Sequence, residues 1–131
     1  SIRVAVYGTL MQGQGGQELA GISEGMTYLG PCQLRGELYD LGEYPGLLEG
    51  EAGVSGEIFA LRDISVLEQL DRYEGCVDGN PGASLFVRRL MPVAGQRGNC
   101  WIYYYNGGAP RDGRIPSGDW AEHVRQRAAC S

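Results

Sequence analysis

Ile2-Arg3-Val4-Ala5-Val6-Tyr7-Gly8-Thr9-Leu10 is the stretch on which the reading of the chain turns. Ile2, Val4 and Val6 are β-branched and alternate with Arg3 and Ala5, so residues 2–7 are expected to be a first strand. The chain then enters Met11-Gln12-Gly13-Gln14-Gly15-Gly16, where residues 13–16 break the strand and Gln17-Glu18-Leu19-Ala20 can begin a short helix. Main-chain N–H groups at such a strand exit form a nest for a carboxylate or an oxyanion. An ordinary strand-to-helix corner has the same local pattern. A P-loop is excluded, because no Gly-Lys-Ser/Thr follows the glycines.

Working outward, residues 26–29 and 32–41 read as extended, residues 42–46 as a loop, and residues 54–61 as a strand. Residues 63–73 carry the clearest helical period, with Asp63 as N-cap and Ile64, Leu67 and Leu70 on one face. Gly75 stops that helix, and residues 76–84 form a polar loop. Residues 85–93 and 100–105 are strands joined by a hairpin-like turn, and residues 120–129 form a closing helix. Nothing repeats and no linker divides the chain. The expectation is a single α+β domain over residues 1–131, with a curled or barrel-like sheet.

Glycine accounts for 22 of the 131 residues, more than twice its usual share of about 7%, and fits a β-rich fold with many tight turns. The net charge of −5 and the lack of a basic cluster argue against nucleic acid as a partner. No apolar run approaches the roughly 20 residues of a membrane span, and no signal-peptide pattern is read at the N-terminus. A cytoplasmic protein is expected. Cys32, Cys76, Cys100 and Cys130 lie far apart and His123 is the one histidine, which disfavours zinc; reduced, mostly buried thiols are expected.

One histidine near the end of the chain makes Ser-His-Asp or Cys-His chemistry improbable. Carboxylates and main-chain donors remain. Glu74 ends the helical run Leu70-Asp71-Arg72-Tyr73-Glu74, where the helix dipole disfavours a negative charge. It is either a solvated helix-end residue or a functional carboxylate.

Eight short stretches, taken in order, carry a resemblance. They are Val6-Tyr7-Gly8-Thr9-Leu10, Leu38-Tyr39-Asp40-Leu41, Tyr44-Pro45-Gly46, Val54-Ser55-Gly56-Glu57-Ile58, Leu70-Asp71-Arg72-Tyr73-Glu74-Gly75, Phe86-Val87-Arg88-Arg89, Trp101-Ile102-Tyr103-Tyr104-Tyr105 and Ser117-Gly118-Asp119-Trp120. Together they resemble the γ-glutamylcyclotransferase-like family, which includes γ-glutamylamine cyclotransferase and plant avirulence-induced proteins. The resemblance implies a small mixed β-barrel flanked by helices. It also implies an activity in which a γ-glutamyl amide is cleaved by its own α-amino group to 5-oxoproline and a free amine, without metal or cofactor.

Carried onto this chain, the resemblance makes Glu74 the general acid/base. Tyr7, Gly8, Thr9 and Leu10 become the loop that holds the γ-glutamyl group through its backbone, with Gly8 allowing close approach of the ligand. Arg88 either pairs with the substrate α-carboxylate, braces Glu74, or is structural. Tyr103 and Tyr105 share a strand face, and either can border the pocket. The loops 42–46 and 76–84 are expected to touch the leaving amine. Relatives often carry Asn where Gln14-Gly15-Gly16 stands and Tyr where Phe86 stands, which bears on substrate identity. A non-catalytic metabolite-binding module on the same fold is the alternative; monomer and dimer both stay open.

Overall fold

The computed structural model describes residues 1–130. Five strands and three helices follow one another as β1 (Ile2–Val6), α1 (Gly16–Ala20), β2 (Met26–Asp40), β3 (Pro45–Leu61), α2 (Ile64–Glu74), β4 (Phe86–Pro92), β5 (Asn99–Tyr105) and α3 (Trp120–Cys130). The strands form one sheet in the order β2-β3-β1-β5-β4. Among the described residues the backbone ladder leaves β2 and β4 as edges, and the expected barrel takes the form of a strongly curled sheet. Across the curl, Arg89 of β4 reaches Glu49 of β3.

β1 lies between β3 and β5, antiparallel to the first and parallel to the second. That central place explains its composition: Val4, Ala5 and Val6 are all buried, as expected of a strand covered on both faces. Because β1 and β5 run parallel, with Val4 opposite Trp101, both strands leave the sheet at the same end. The Tyr7 hydroxyl fastens this end by donating to the Tyr103 carbonyl oxygen (2.7 Å) and accepting from the Leu47 N–H (3.2 Å).

β2 is one strand of 15 residues, where the sequence suggested two, and it absorbs irregularities in register at residues 28–30 and 35–37. β3 begins at Pro45, nine residues earlier than expected, because residues 45–48 pair with 37–40 of β2. α2 starts as anticipated. Asp63 caps it by accepting from the Ser65 N–H, and Gly75 ends it in the left-handed conformation (φ 66°) that a side chain rarely adopts. Its buried face is Val66, Leu67, Leu70 and Asp71. Each aliphatic side chain there contributes about 2 kcal/mol on burial. Ile64, expected on that face, is 57% exposed, because the buried stripe runs through Val66, Leu67, Leu70 and Asp71 and leaves position 64 at its edge.

The cysteines are free, as expected, but only Cys100 is fully buried. No described helix is long and apolar enough to cross a membrane.

Candidate active site

A cavity of about 750 Å³ opens where β1 leaves the sheet. Tyr7, Gly8, Thr9 and Leu10 form one wall, and Tyr73 and Glu74 at the end of α2 form another. Glu43, Tyr44 and Pro45 close a third side, with Phe86 and Tyr103 contributed by β4 and β5.

Packing shapes the loop after β1. A Cβ on Gly8 would lie 2.6 Å from the Pro45 Cγ, so the glycine is required by a neighbouring protein side chain. Gly8→Ala is therefore expected to lose about 2 kcal/mol by overpacking, read as a lower urea midpoint with an unchanged m-value. Beyond it the loop is tied down: the Gly16 N–H donates to the Thr9 carbonyl (2.8 Å) and the Gln17 amide to the Leu10 carbonyl (2.7 Å). The Thr9 and Tyr73 hydroxyls hydrogen-bond at 2.7 Å, which joins the loop to α2 beside Glu74. The N–H groups of Gly8, Thr9 and Leu10 bond to no other described residue, and all three residues line the cavity. Three donors thus have no protein acceptor beside the cavity.

Glu74 is the last residue of α2. No described residue hydrogen-bonds its carboxyl, and burial pushes its pKa up to about 7. The phenols facing the same space are shifted as well. Burial raises Tyr7 most, and the Glu74 charge adds to it. For Tyr103, burial and the bond to Asp71 dominate, with Glu74 a smaller contributor.

One turn before Glu74, the Asp71 carboxylate is 8% exposed and accepts two bonds on one oxygen. They come from the Tyr103 hydroxyl (2.6 Å) and the Arg88 Nε (2.8 Å), while the Arg88 guanidinium lies over the Trp101 ring at 4.3 Å. A buried carboxylate satisfied in this way ties the C-terminal turn of α2 to β4 and β5. The turn bearing Glu74 is held by the sheet.

Of the seven residues singled out from the sequence, Tyr7, Gly8, Thr9, Leu10 and Glu74 come together on this cavity. Arg88 and Tyr105 do not line it. Arg88 spends its guanidinium on Asp71, and Tyr105 packs edge-on against Phe86 (centroids 5.6 Å apart), one layer behind the wall. Of the two tyrosines on that strand face, Tyr103 is the one at the cavity. No residue of the 76–84 loop lines the cavity, whereas Leu85, directly after it, does; from the 42–46 loop, Glu43, Tyr44 and Pro45 line it. Asp71 and Tyr73 escaped sequence reasoning as site residues. The available signal was Asp71 itself, a carboxylate on the same helical face as Leu67, Leu70 and Glu74.

A cavity of this size, with one raised carboxyl and three N–H groups that have no protein partner, has the form of a small-molecule pocket. The family model described as gamma-glutamyl cyclotransferase, AIG2-like, matches residues 4–122, and the chain belongs to that family. It is 35% identical to a Vibrio cholerae protein named "Putative gamma-glutamylcyclotransferase", covering 92% of this chain and 96% of that one. It is 32% identical to the Gamma-glutamylcyclotransferase family protein YtfP of Escherichia coli K12, over 92% and 97%. Among solved structures, an uncharacterized protein of Pyrococcus horikoshii superposes with a TM-score of 0.70 at 26% identity, covering 98% of each chain.

Proposed function

We propose that the protein is a cyclotransferase that converts a γ-glutamyl amide into 5-oxoproline and a free amine. The observation that carries this reading is the Glu74 carboxyl, raised to about 7, in one cavity with the unpaired N–H groups of Gly8, Thr9 and Leu10. An α-amino group has a pKa of about 8 and is largely ammonium at neutral pH, so a base must take its proton. Ionised Glu74 accepts that proton, and the nitrogen attacks the γ-carbonyl carbon. The new N–C bond closes a five-membered ring, and the oxyanion is met by main-chain N–H groups, each worth about 3 kcal/mol. Protonated Glu74 then gives its proton to the departing nitrogen as the old C–N bond breaks, and the second proton of the ring nitrogen follows through Glu74 to the released amine, which leaves as an ammonium ion. No water is consumed, and the carboxylate is regenerated.

Ring closure is intramolecular, and well-oriented cases reach effective molarities of about 10⁵ M or more, so holding one conformer supplies much of the rate. No described cation lines the cavity, and the substrate α-carboxylate is assigned to the same main-chain donors. Incubation with a panel of γ-glutamyl amides should release 5-oxoproline. Tight binding without product would instead favour a metabolite-binding module. Because Glu74 accepts a proton only when ionised, kcat/KM is expected to rise with pH through about 7, the value for the free protein. A flat profile between pH 5 and 8 would count against Glu74 as the base.

A further inference from the structure

The charge of the cavity lining bears on what leaves. Glu43 and Glu74 are its charged members, and no arginine or histidine is among the described lining residues. The chain contains no lysine at all. Glu74 is committed to the reacting nitrogens under the reading above, which leaves Glu43. Its side chain is exposed and makes no ion pair or hydrogen bond with a described residue.

The loop that presents Glu43 is nonetheless fixed. The Leu41 N–H donates to the Tyr44 carbonyl (2.9 Å), and the Gly42 N–H to the Asp40 carboxylate (2.7 Å). From α3, Arg127 donates to both the Gly42 carbonyl (2.8 Å) and Asp40 (2.9 Å), and His123 bonds to Asp40 at 2.7 Å. Asp40 thus holds Arg127 and His123, and Glu43 is left without a partner of its own on an anchored turn. The same cavity takes in Leu19, which is 82% exposed, and Leu85, which is 45% exposed. Two apolar side chains held out to solvent at a cavity wall suit an alkyl chain.

We propose that the amine released by this protein carries a second positive charge: the substrate is a γ-glutamyl derivative of an alkyl diamine. Its methylenes run along Leu19 and Leu85, and its distal ammonium pairs with Glu43. An amino acid as the leaving group would bring a carboxylate into a cavity that offers it no cation. The inference rests on the cyclotransferase reading and narrows it to one class of amine.

Three amides of equal length separate the outcomes: γ-glutamyl-1,4-diaminobutane, γ-glutamyl-butylamine and γ-glutamyl-4-aminobutyrate. At low salt kcat/KM is expected to fall about two- to fivefold from the cationic to the neutral amide, and about as much again to the anionic one, the range seen for exposed ion pairs. The differences should reside in KM and shrink as ionic strength rises. Glu43→Gln should reduce the cationic-to-neutral ratio to near one, and Glu43→Arg should invert the order. Equal rates on all three amides, or a cationic preference unaltered in Glu43→Gln, overturn the diamine assignment while leaving the cyclotransferase standing. No 5-oxoproline from any of the three, with binding seen by calorimetry, overturns the reaction itself and the diamine assignment with it.

Discussion

Glu74→Gln is expected to lower kcat on a γ-glutamyl amide by about 10²- to 10⁴-fold, the usual contribution of a positioned general acid/base. KM should change little, because the side-chain shape is kept and the γ-glutamyl group is held by main-chain donors. The same variant is expected to be the more stable protein at alkaline pH. With a native pKa of about 7 against an ordinary 4.5, the folded state retains a proton that the unfolded chain has lost between those values. Stability of the parent therefore declines as pH rises through this window, by about 3 kcal/mol once pH exceeds 7. A neutral glutamine escapes that decline. Urea denaturation at pH 8 should show the gain and denaturation at pH 4 should not; catalysis lost without stability gained would mean that the carboxyl is not held protonated by burial.

Asp71→Ala is expected to be the most destabilising single change near the site. It strands the Tyr103 hydroxyl and the Arg88 guanidinium, whose side chain is 20% exposed. Removing one partner of a fully buried pair costs about 3–5 kcal/mol, and the water that reaches Arg88 brings the expectation to about 3 kcal/mol. At about 3 °C per kcal/mol for a chain of this size, Tm should drop by about 10 °C in a thermal melt. Asp71→Asn keeps an acceptor for both donors and should lose less than half as much. Equal losses in the two variants would place the stabilisation in charge rather than in the two hydrogen bonds.

These effects mark what a linear reading reaches. The α+β class, β1 and the start and stop of α2 were legible because alternation, the Asp63 cap and Gly75 are local signals. The loop at Tyr7 to Leu10 and the carboxylate at Glu74 were legible through the order of short motifs along the chain, and they do meet on one cavity. What was hidden depends on register. Arg88 stands opposite Tyr103 in the β4–β5 ladder, and both side chains converge on a helix residue 17 and 32 positions away. Alternation places Tyr103 and Tyr105 on one face, yet only the depth of the cavity decides between them. Gly8 was read as room for a ligand, and its missing Cβ also makes room for Pro45, a neighbour that only the fold reveals. The early start of β3 at Pro45 was missed for a related reason, since Gly and Pro read as loop until β2 offers its partners.

The Thr9–Tyr73 bond joins segments 64 residues apart, one bearing the main-chain donors and the other neighbouring Glu74. Its consequence lies in entropy and in time. The relative freedom of the two segments is removed when the chain folds, so binding has less disorder left to remove, and affinity and rate both gain from preorganisation. Association traced by stopped flow should accordingly be a single exponential, its rate proportional to ligand concentration, with no later isomerisation. Thr9→Val unfastens the two segments, and a second, concentration-independent phase should then emerge.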